Sequence, residues 1–423
     1  MDTTAPTGQT GPGEREDLAT QARAAIAQPT VPGPHTADEA AATSKRPTDH
    51  PGSRPAARPS KPRDPWPDNA RLIAAVLIVV LHFSADLYAR SGAVEYLYYA
   101  TWPLRVPLYA LIAGYFSSAA PLGARGALTL VRNVLGVYIV FDLIATVQEG
   151  LLGQGWYWDL GMPGLALWFL LALFFWRLSL PVVARIKGIV PISVVVALLG
   201  GFMWSVSSSF SISRALCFWP IFLLGWKLKE HGLHRALDRR WVRALAATFF
   251  VGYAVAVAYL VQHYTLQRGW MNMRKGYGTG PFEDQAELLV VRLVVIVLGM
   301  VGALAMLALT PRRRLPVITY LGSGSLYIYL LHPIVLKQVQ AAGIIDAVDT
   351  RAELVVLLVG ATALGLLLGS TPVRRVFRWI VQPRYTWLFH AMEQPARSAA
   401  QAPAPAVGRA PEPGTAQGAA LPR

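Results

Sequence analysis

Cysteine and charge are scarce in this chain, and of the two signs of charge the negative is the scarcer. One cysteine, Cys217, stands among 423 residues, which excludes a disulfide framework and a cysteine-based zinc site. Asp, Glu, Lys and Arg together make up 15% of the sequence, where a soluble protein carries about 25%. The length alone would suit two or three soluble domains of roughly 150 residues each, and the shortage of charge argues against them. Asp and Glu number 24 against 39 Lys and Arg, a net charge of +15. These cations punctuate long apolar runs instead of collecting on a polar folded surface, which excludes the basic patch of a nucleic-acid binder.

Apolar residues fill the space, at 54% of the chain. A helix that crosses a hydrocarbon core of ~30 Å needs about 20 mostly apolar residues. Ten segments qualify: 69–88, 96–117, 127–149, 164–184, 189–206, 212–229, 241–262, 288–309, 317–338 and 353–370. The expected fold class is therefore all-α, a polytopic integral membrane protein of about ten transmembrane helices over 68–371. The two ends are different material. Residues 1–67 and 393–423 are rich in Ala, Pro, Gly and Arg and poor in large apolar side chains, so they are expected to be disordered tails. The first residues lack the apolar core of a signal peptide.

The loops carry a polarity. Arg54, Arg58, Lys61 and Arg63 precede the first segment, and Arg125 follows the second. Arg185 and Lys187 follow the fourth, six cations from Lys227 to Arg243 crowd the turn after the sixth, and Arg312, Arg313 and Arg314 follow the eighth. Arg374, Arg375, Arg378 and Arg384 follow the tenth. The alternate loops, 89–95, 150–163, 207–211, 263–287 and 341–352, are poor in cations or balanced by acid. The positive-inside rule then puts both termini and the basic loops in the cytoplasm of a cell whose plasma membrane the chain spans. Residues 372–392 mix Arg with Trp, Phe and Val, the pattern of an amphipathic segment lying among lipid headgroups.

Ionisable side chains inside apolar helices are expensive, and they face a cavity or a partner. In the first segment, Arg71 is followed by ten apolar residues and then by His82. Eleven residues at about 100° each make three turns plus ~20°, so the two share one helix face, ~16 Å apart along the axis. Asp86 follows four residues later, within reach of the imidazole if the helix continues. Read blandly, Arg71 is a cytoplasmic anchor and His82 an interhelical hydrogen bonder. Read chemically, neutral imidazole is a general base able to take a hydroxyl proton. Counting depth at ~1.5 Å per residue puts His82, Asp86, Arg105, Asp142, Trp168, Arg214 and His332 in one layer of the membrane. An Arg105–Asp142 ion pair and an interfacial role for Trp168 are the plainer readings of those residues.

These residues carry a resemblance. Asp68-Asn69-Ala70-Arg71 with the Arg-x10-His spacing to His82 resembles the first-helix signature of the membrane-bound acyltransferase family 3, in its fucose 4-O-acetylase-like branch. Pro107-Leu108-Tyr109 through Ala113-Gly114-Tyr115-Phe116, Trp168 to Leu173, Ser213-Arg214-Ala215-Leu216 with Pro220 to Gly225, and Tyr320-Leu321-Gly322 with Leu326 to His332 are similar to later motifs of that family, in the same order. Arg105 stands where the pattern has His, Ala113 replaces a Ser, and Arg132 matches a third-helix basic motif only loosely.

The resemblance implies an O-acyltransferase that takes an acyl group, usually acetyl, from acyl-CoA, with His82 as base and Arg71 as its partner. Coenzyme A is a cytoplasmic polyanion, and arginines suit its phosphates; Arg71 is the first candidate, with Arg125 or Arg132 beside it. Asp86 or Asp142 is expected to hold the imidazole, and Arg105, Arg214 or His332 to stabilise an oxyanion or bind the acceptor together with Trp168. The expected partners are membrane lipids and a hydroxyl-bearing acceptor, a sugar, glycan or glycosylated small molecule, with no metal and no nucleic acid. The competing class is a transporter or flippase whose buried charges line a permeation path, although no paired broken helices of the inverted-repeat kind are evident.

Overall fold

The computed structural model describes residues 64–383, apart from 165, 203–208, 275 and 279–280. The tail expected over 1–67 lies outside the described residues as far as 63, but its last two residues, Trp66 and Pro67, are buried in the first turn of a helix instead; the tail expected from 393 onward and the distal part of the interfacial segment with Arg384 also lie outside the described residues. Every regular element among the described residues is helical. In chain order these are α1 (Trp66–Phe83), α2 (Gly92–Ala100), α3 (Val106–Tyr115), α4 (Ala124–Leu151), α5 (Trp168–Val183), α6 (Ile189–Leu199) and α7 (Ile212–Glu230). They continue with α8 (Arg240–His263), the short α9 (Arg268–Met271), α10 (Phe282–Leu309), α11 (Pro316–Gly322), α12 (Ser325–Ala341), α13 (Arg351–Leu368) and α14 (Thr371–Val381). Five of them, α1, α4, α8, α10 and α13, are long and apolar enough to cross a membrane.

Several expected segments are interrupted, each for a local reason. The span 96–117 breaks between α2 and α3, where a 3-10 turn covers Trp102–Leu104. Pro103 and Pro107 flank the break, and each removes a helical N–H and crowds the preceding turn. The span 317–338 breaks at Ser323, between Gly322 and Gly324. α4 runs through a π-helical stretch at Val131–Leu135. α1 begins at Trp66 with Pro67 in its first turn, where the missing N–H costs nothing. It ends at Phe83; the Ser84 hydroxyl donates to the Val80 carbonyl and a 3-10 turn follows. Asp86 is therefore not one helical turn beyond His82.

α1 is the centre of the assembly. Of its residues 72% are buried, against 11% of α8 and 17% of the α13 span. The outward faces of α8 and α13 are lined with Val251, Val255, Tyr259, Val355, Val356 and Val359, as lipid-facing surfaces require. Small residues let backbones touch at the contacts that set the bundle. A Cβ on Gly114 of α3 would lie 1.8 Å from the Phe222 carbonyl of α7, and one on Gly225 of α7 would lie 1.9 Å from the Leu111 carbonyl of α3. Gly322 approaches the Asp68 carbonyl of α1 in the same way, at 1.9 Å.

Loops segregate to the two ends of α1. At the Arg71 end, the Asn69 amide donates to the Pro311 and Arg313 carbonyls, at 2.9 and 3.1 Å. Arg312 bonds Asp238 and the His234 carbonyl, and Arg374 donates to Ser323. At the other end, Gln340 donates to Asp86 and Arg90 faces Asp346 and Asp349.

Candidate active site

α1 presents Arg71 and His82 to one cavity of about 690 Å³, a volume suited to a small-molecule site. The eleven-residue spacing thus sets a guanidinium and an imidazole on one wall, at different depths. α12 lies alongside and brings His332, which is fully buried, against His82: His82 Nδ1 and His332 Nε2 are 2.8 Å apart.

The protons in this pair follow from its third member. His332 Nδ1 lies 2.8 Å from the Ile328 carbonyl, and a carbonyl only accepts, so Nδ1 carries the hydrogen. Neutral His332 then has its lone pair on Nε2, and His82 Nδ1 must donate to it. That leaves the lone pair of His82 on Nε2, the position of a general base, while His82 itself forms part of the cavity wall. Pro333, the next residue of α12, has no N–H to give the helix ladder.

The imidazole is therefore oriented by His332, and neither expected carboxylate performs this task. Asp86 lies beyond the end of α1 and accepts from Gln340 Nε2 at 2.8 Å. Asp142 accepts from Trp158 Nε1 at 3.0 Å and lies outside the cavity lining. Nor does Asp142 pair with Arg105, whose Nη2 donates to the Tyr98 carbonyl at 2.6 Å while its guanidinium covers the Tyr98 ring.

Arg105, Trp168 and Arg214 all line the cavity with His82 and Asp86. Trp168 is buried, with the Arg214 guanidinium 5.0 Å above its ring, so it is a wall of the site and not an interfacial belt residue. Arg132 bonds its neighbour Asn133 at 3.1 Å. The π-helical stretch turns Asn133 and Val134, and not Arg132, toward the cavity; such bulges re-aim side chains.

At the opposite end, Arg71 is held by Asp68 at 2.9 Å and stacks on Phe116. Arg177 of α5 joins it on the cavity lining, its Nε donating to Ser117. Arg177 is absent from the sequence-based candidates, yet its signal is present: a cation in the middle of an apolar run. Arg268, Asn272 and Arg274 also line the cavity, from the loop between α8 and α10. No periodicity announces them, because they stand on the four-residue α9 and the turn after it, too short for a pattern. Among the described residues, no three His, Cys, Asp or Glu side chains gather as metal ligands.

The acyltransferase domain family matches residues 64–370, which takes in α1 through α13 and the whole cavity lining except Gln382. The chain belongs to the acyltransferase 3 family. No curated protein and no solved structure matches it. Within this membrane acyltransferase, the motifs that carried the resemblance divide into two kinds. Arg71, His82, Trp168 and Arg214 line the cavity and His332 bonds His82 from behind its wall, whereas Gly114, Gly225 and Gly322 build the helix contacts around it.

Proposed function

We propose that this acyltransferase moves an acyl group, acetyl above all, from acyl-CoA to a hydroxyl of a sugar, glycan or related acceptor, as in the fucose 4-O-acetylase-like branch. One observation carries the reading: His82, with its tautomer fixed by His332 and the Ile328 carbonyl, offers Nε2 to a cavity that also holds Arg71 on the same helix. The separation of ~16 Å along α1 is comparable with the reach of an extended pantetheine arm. Arg71 and Arg177 then take donor phosphates at one end, while the thioester lies near His82.

In the reaction, the acceptor hydroxyl gives its proton to His82 Nε2 and its oxygen attacks the thioester carbonyl carbon. The tetrahedral oxyanion is stabilised by the Arg105 or Arg214 guanidinium. Its collapse breaks the carbon–sulfur bond; the leaving thiolate takes the proton back from the imidazolium, giving an ester and free CoA thiol. His332 spreads the transient positive charge through the shared hydrogen bond. Transfer is direct in this scheme, because Cys217 is fully buried and is not part of the cavity lining.

In the proposed membrane arrangement the chain crosses ten times, with both termini and the cation-rich Arg71 end in the cytoplasm of the plasma membrane. The supports are the alternation of basic loops and the cytoplasmic supply of acyl-CoA. The test is direct: purified protein is incubated with radiolabelled acetyl-CoA and a panel of sugars and glycans. Label should appear on an acceptor with wild type and not with His82→Ala. Transport of an acceptor across vesicles without any acetylation would overturn the reading.

A further inference from the structure

The cavity carries more cations near His82 than the single guanidinium that the oxyanion of transfer requires. Around its His82 end stand Arg105, Arg214, Arg268 and Arg274. Among the described residues none of the four makes an ion pair with a carboxylate. Among the described residues the one carboxylate lining the cavity is Asp86, which accepts from Gln340 Nε2.

Arg105 is only 8% exposed, and its Nε is buried with no hydrogen-bond partner among the described residues. Arg214 rests on Trp168, and Arg268 on Tyr88 while donating to the Ala85 carbonyl at 3.0 Å. Arg274 stands close enough to Arg214 for their charges to oppose each other, and Arg105, Arg214 and Arg268 all act on Tyr98.

This gathering is built, not incidental. The loop that supplies Arg268 and Arg274 is fastened across the cavity by Trp102 Nε1 to the Met271 carbonyl at 2.9 Å, Ser213 to the Met273 carbonyl at 2.9 Å and Tyr98 to Asn272 at 2.6 Å. Met273 adopts φ +54° there, a left-handed conformation that is held only when its surroundings over-determine it.

Like charges brought together in a low-dielectric pocket, one of them with an unused buried donor, are stabilised by an anion. That anion is not the donor's phosphate chain, for which Arg71 and Arg177 wait at the other end of α1. The acyl group itself is neutral before attack, and its transient oxyanion needs one guanidinium of the four, so a standing charge belongs to the other reactant.

We infer that the acceptor is an anion: a hydroxyl-bearing molecule with a carboxylate or phosphate, held by Arg105, Arg214, Arg268 and Arg274 beside His82. This inference rests on the reading of the cavity as an acyl-transfer site. Uronic acids and sugar phosphates share the required chemistry, and neutral sugars lack it.

The test is equilibrium dialysis of the full chain in detergent against radiolabelled glucuronate, glucose 6-phosphate and glucose, with acetyl-CoA binding measured in parallel. At least one of the two anions should bind about tenfold or more tightly than glucose. That preference should fall about tenfold in Arg214→Gln and in Arg274→Gln. The second variant is on the exposed rim and guards against a folding defect. Acetyl-CoA affinity should stay within about twofold.

Binding of glucuronate alone, of the phosphate alone, or of both identifies the acidic group and supports the inference. Equal binding of both anions and glucose overturns it. So does loss of acetyl-CoA binding in Arg214→Gln, which would give these cations to the donor. If wild type binds glucuronate but no acetyl-CoA, the acyl-transfer reading falls and the anion site loses its role as an acceptor site.

Discussion

At the scale of single residues, the site is a chain of hydrogen bonds that decides where one lone pair points. The Ile328 carbonyl fixes His332 Nδ1–H, His332 Nε2 accepts from His82, and His82 Nε2 is left to take a proton. His82→Ala removes the base, and acyl transfer should fall by ~10²–10⁴-fold with expression and membrane insertion unchanged; a variant that retains wild-type turnover would remove His82 from the chemistry. His332→Phe keeps the bulk but lets His82 choose either tautomer. Its kcat should fall by about 10²-fold while the KM for acetyl-CoA holds, because His332 is not part of the cavity lining. A larger effect on KM than on kcat would make His332 a packing residue only. Much of this was legible in the sequence. Periodicity alone puts Arg71 and His82 on one face, and depth alone puts His332 level with His82. The identity of the orienting group was not legible. Asp86 is an (i, i+4) partner only if α1 continues, and it stops at Phe83; which side chain of another helix lies beside the imidazole is a lateral fact that depth cannot give.

At the scale of elements, the bundle depends on three glycines where helices meet backbone to backbone. Gly114 and Gly225 face each other's helices, and a Cβ at either would collide with a carbonyl oxygen that has no side-chain freedom to yield. Gly225→Leu should lower the stability of the detergent-purified protein by about 1–3 kcal/mol or more, read as a lower midpoint of thermal unfolding. By contrast Gly252, which has open space on the exposed α8, should tolerate Ala without loss. An unchanged midpoint for Gly225→Leu would mean that α3 and α7 do not touch as described. The helix interruptions were written in the sequence as Pro103, Pro107 and the Gly322–Gly324 pair, but an apolar run long enough to span a membrane outweighs them when only hydropathy is counted. The π-helical stretch of α4 has no such mark, since nothing in Val131–Leu135 forbids ordinary helix. It shows only in which side chains, Asn133 and Val134, reach the cavity.

For the whole molecule, charge and function are arranged along the same axis. Basic loops gather at the Arg71 end, through Arg312 on Asp238 and Asn69 on the chain from Pro311 to Arg313, while the acid-balanced turns with Asp86, Asp346 and Asp349 lie at the His82 end. In the proposed arrangement a cytoplasmic donor would meet the cavity at its Arg71 end and an acceptor from the far side at its His82 end, and acyl transfer would span part of the membrane without either reactant crossing it. The arrangement stands or falls on the sidedness of two turns. Arg235 and Asp346 are both exposed and are separated by three of the ten proposed crossings, so they should face opposite compartments. Cys217 is fully buried, which leaves a cysteine introduced at either position as the reactive thiol. A membrane-impermeant maleimide added to intact cells should label Asp346→Cys at once and Arg235→Cys only after the membrane is opened. Labelling of both from outside would break the crossing count between α8 and α12, and labelling of Arg235→Cys alone would invert the chain and move the Arg71 end of the cavity away from the compartment that holds acyl-CoA.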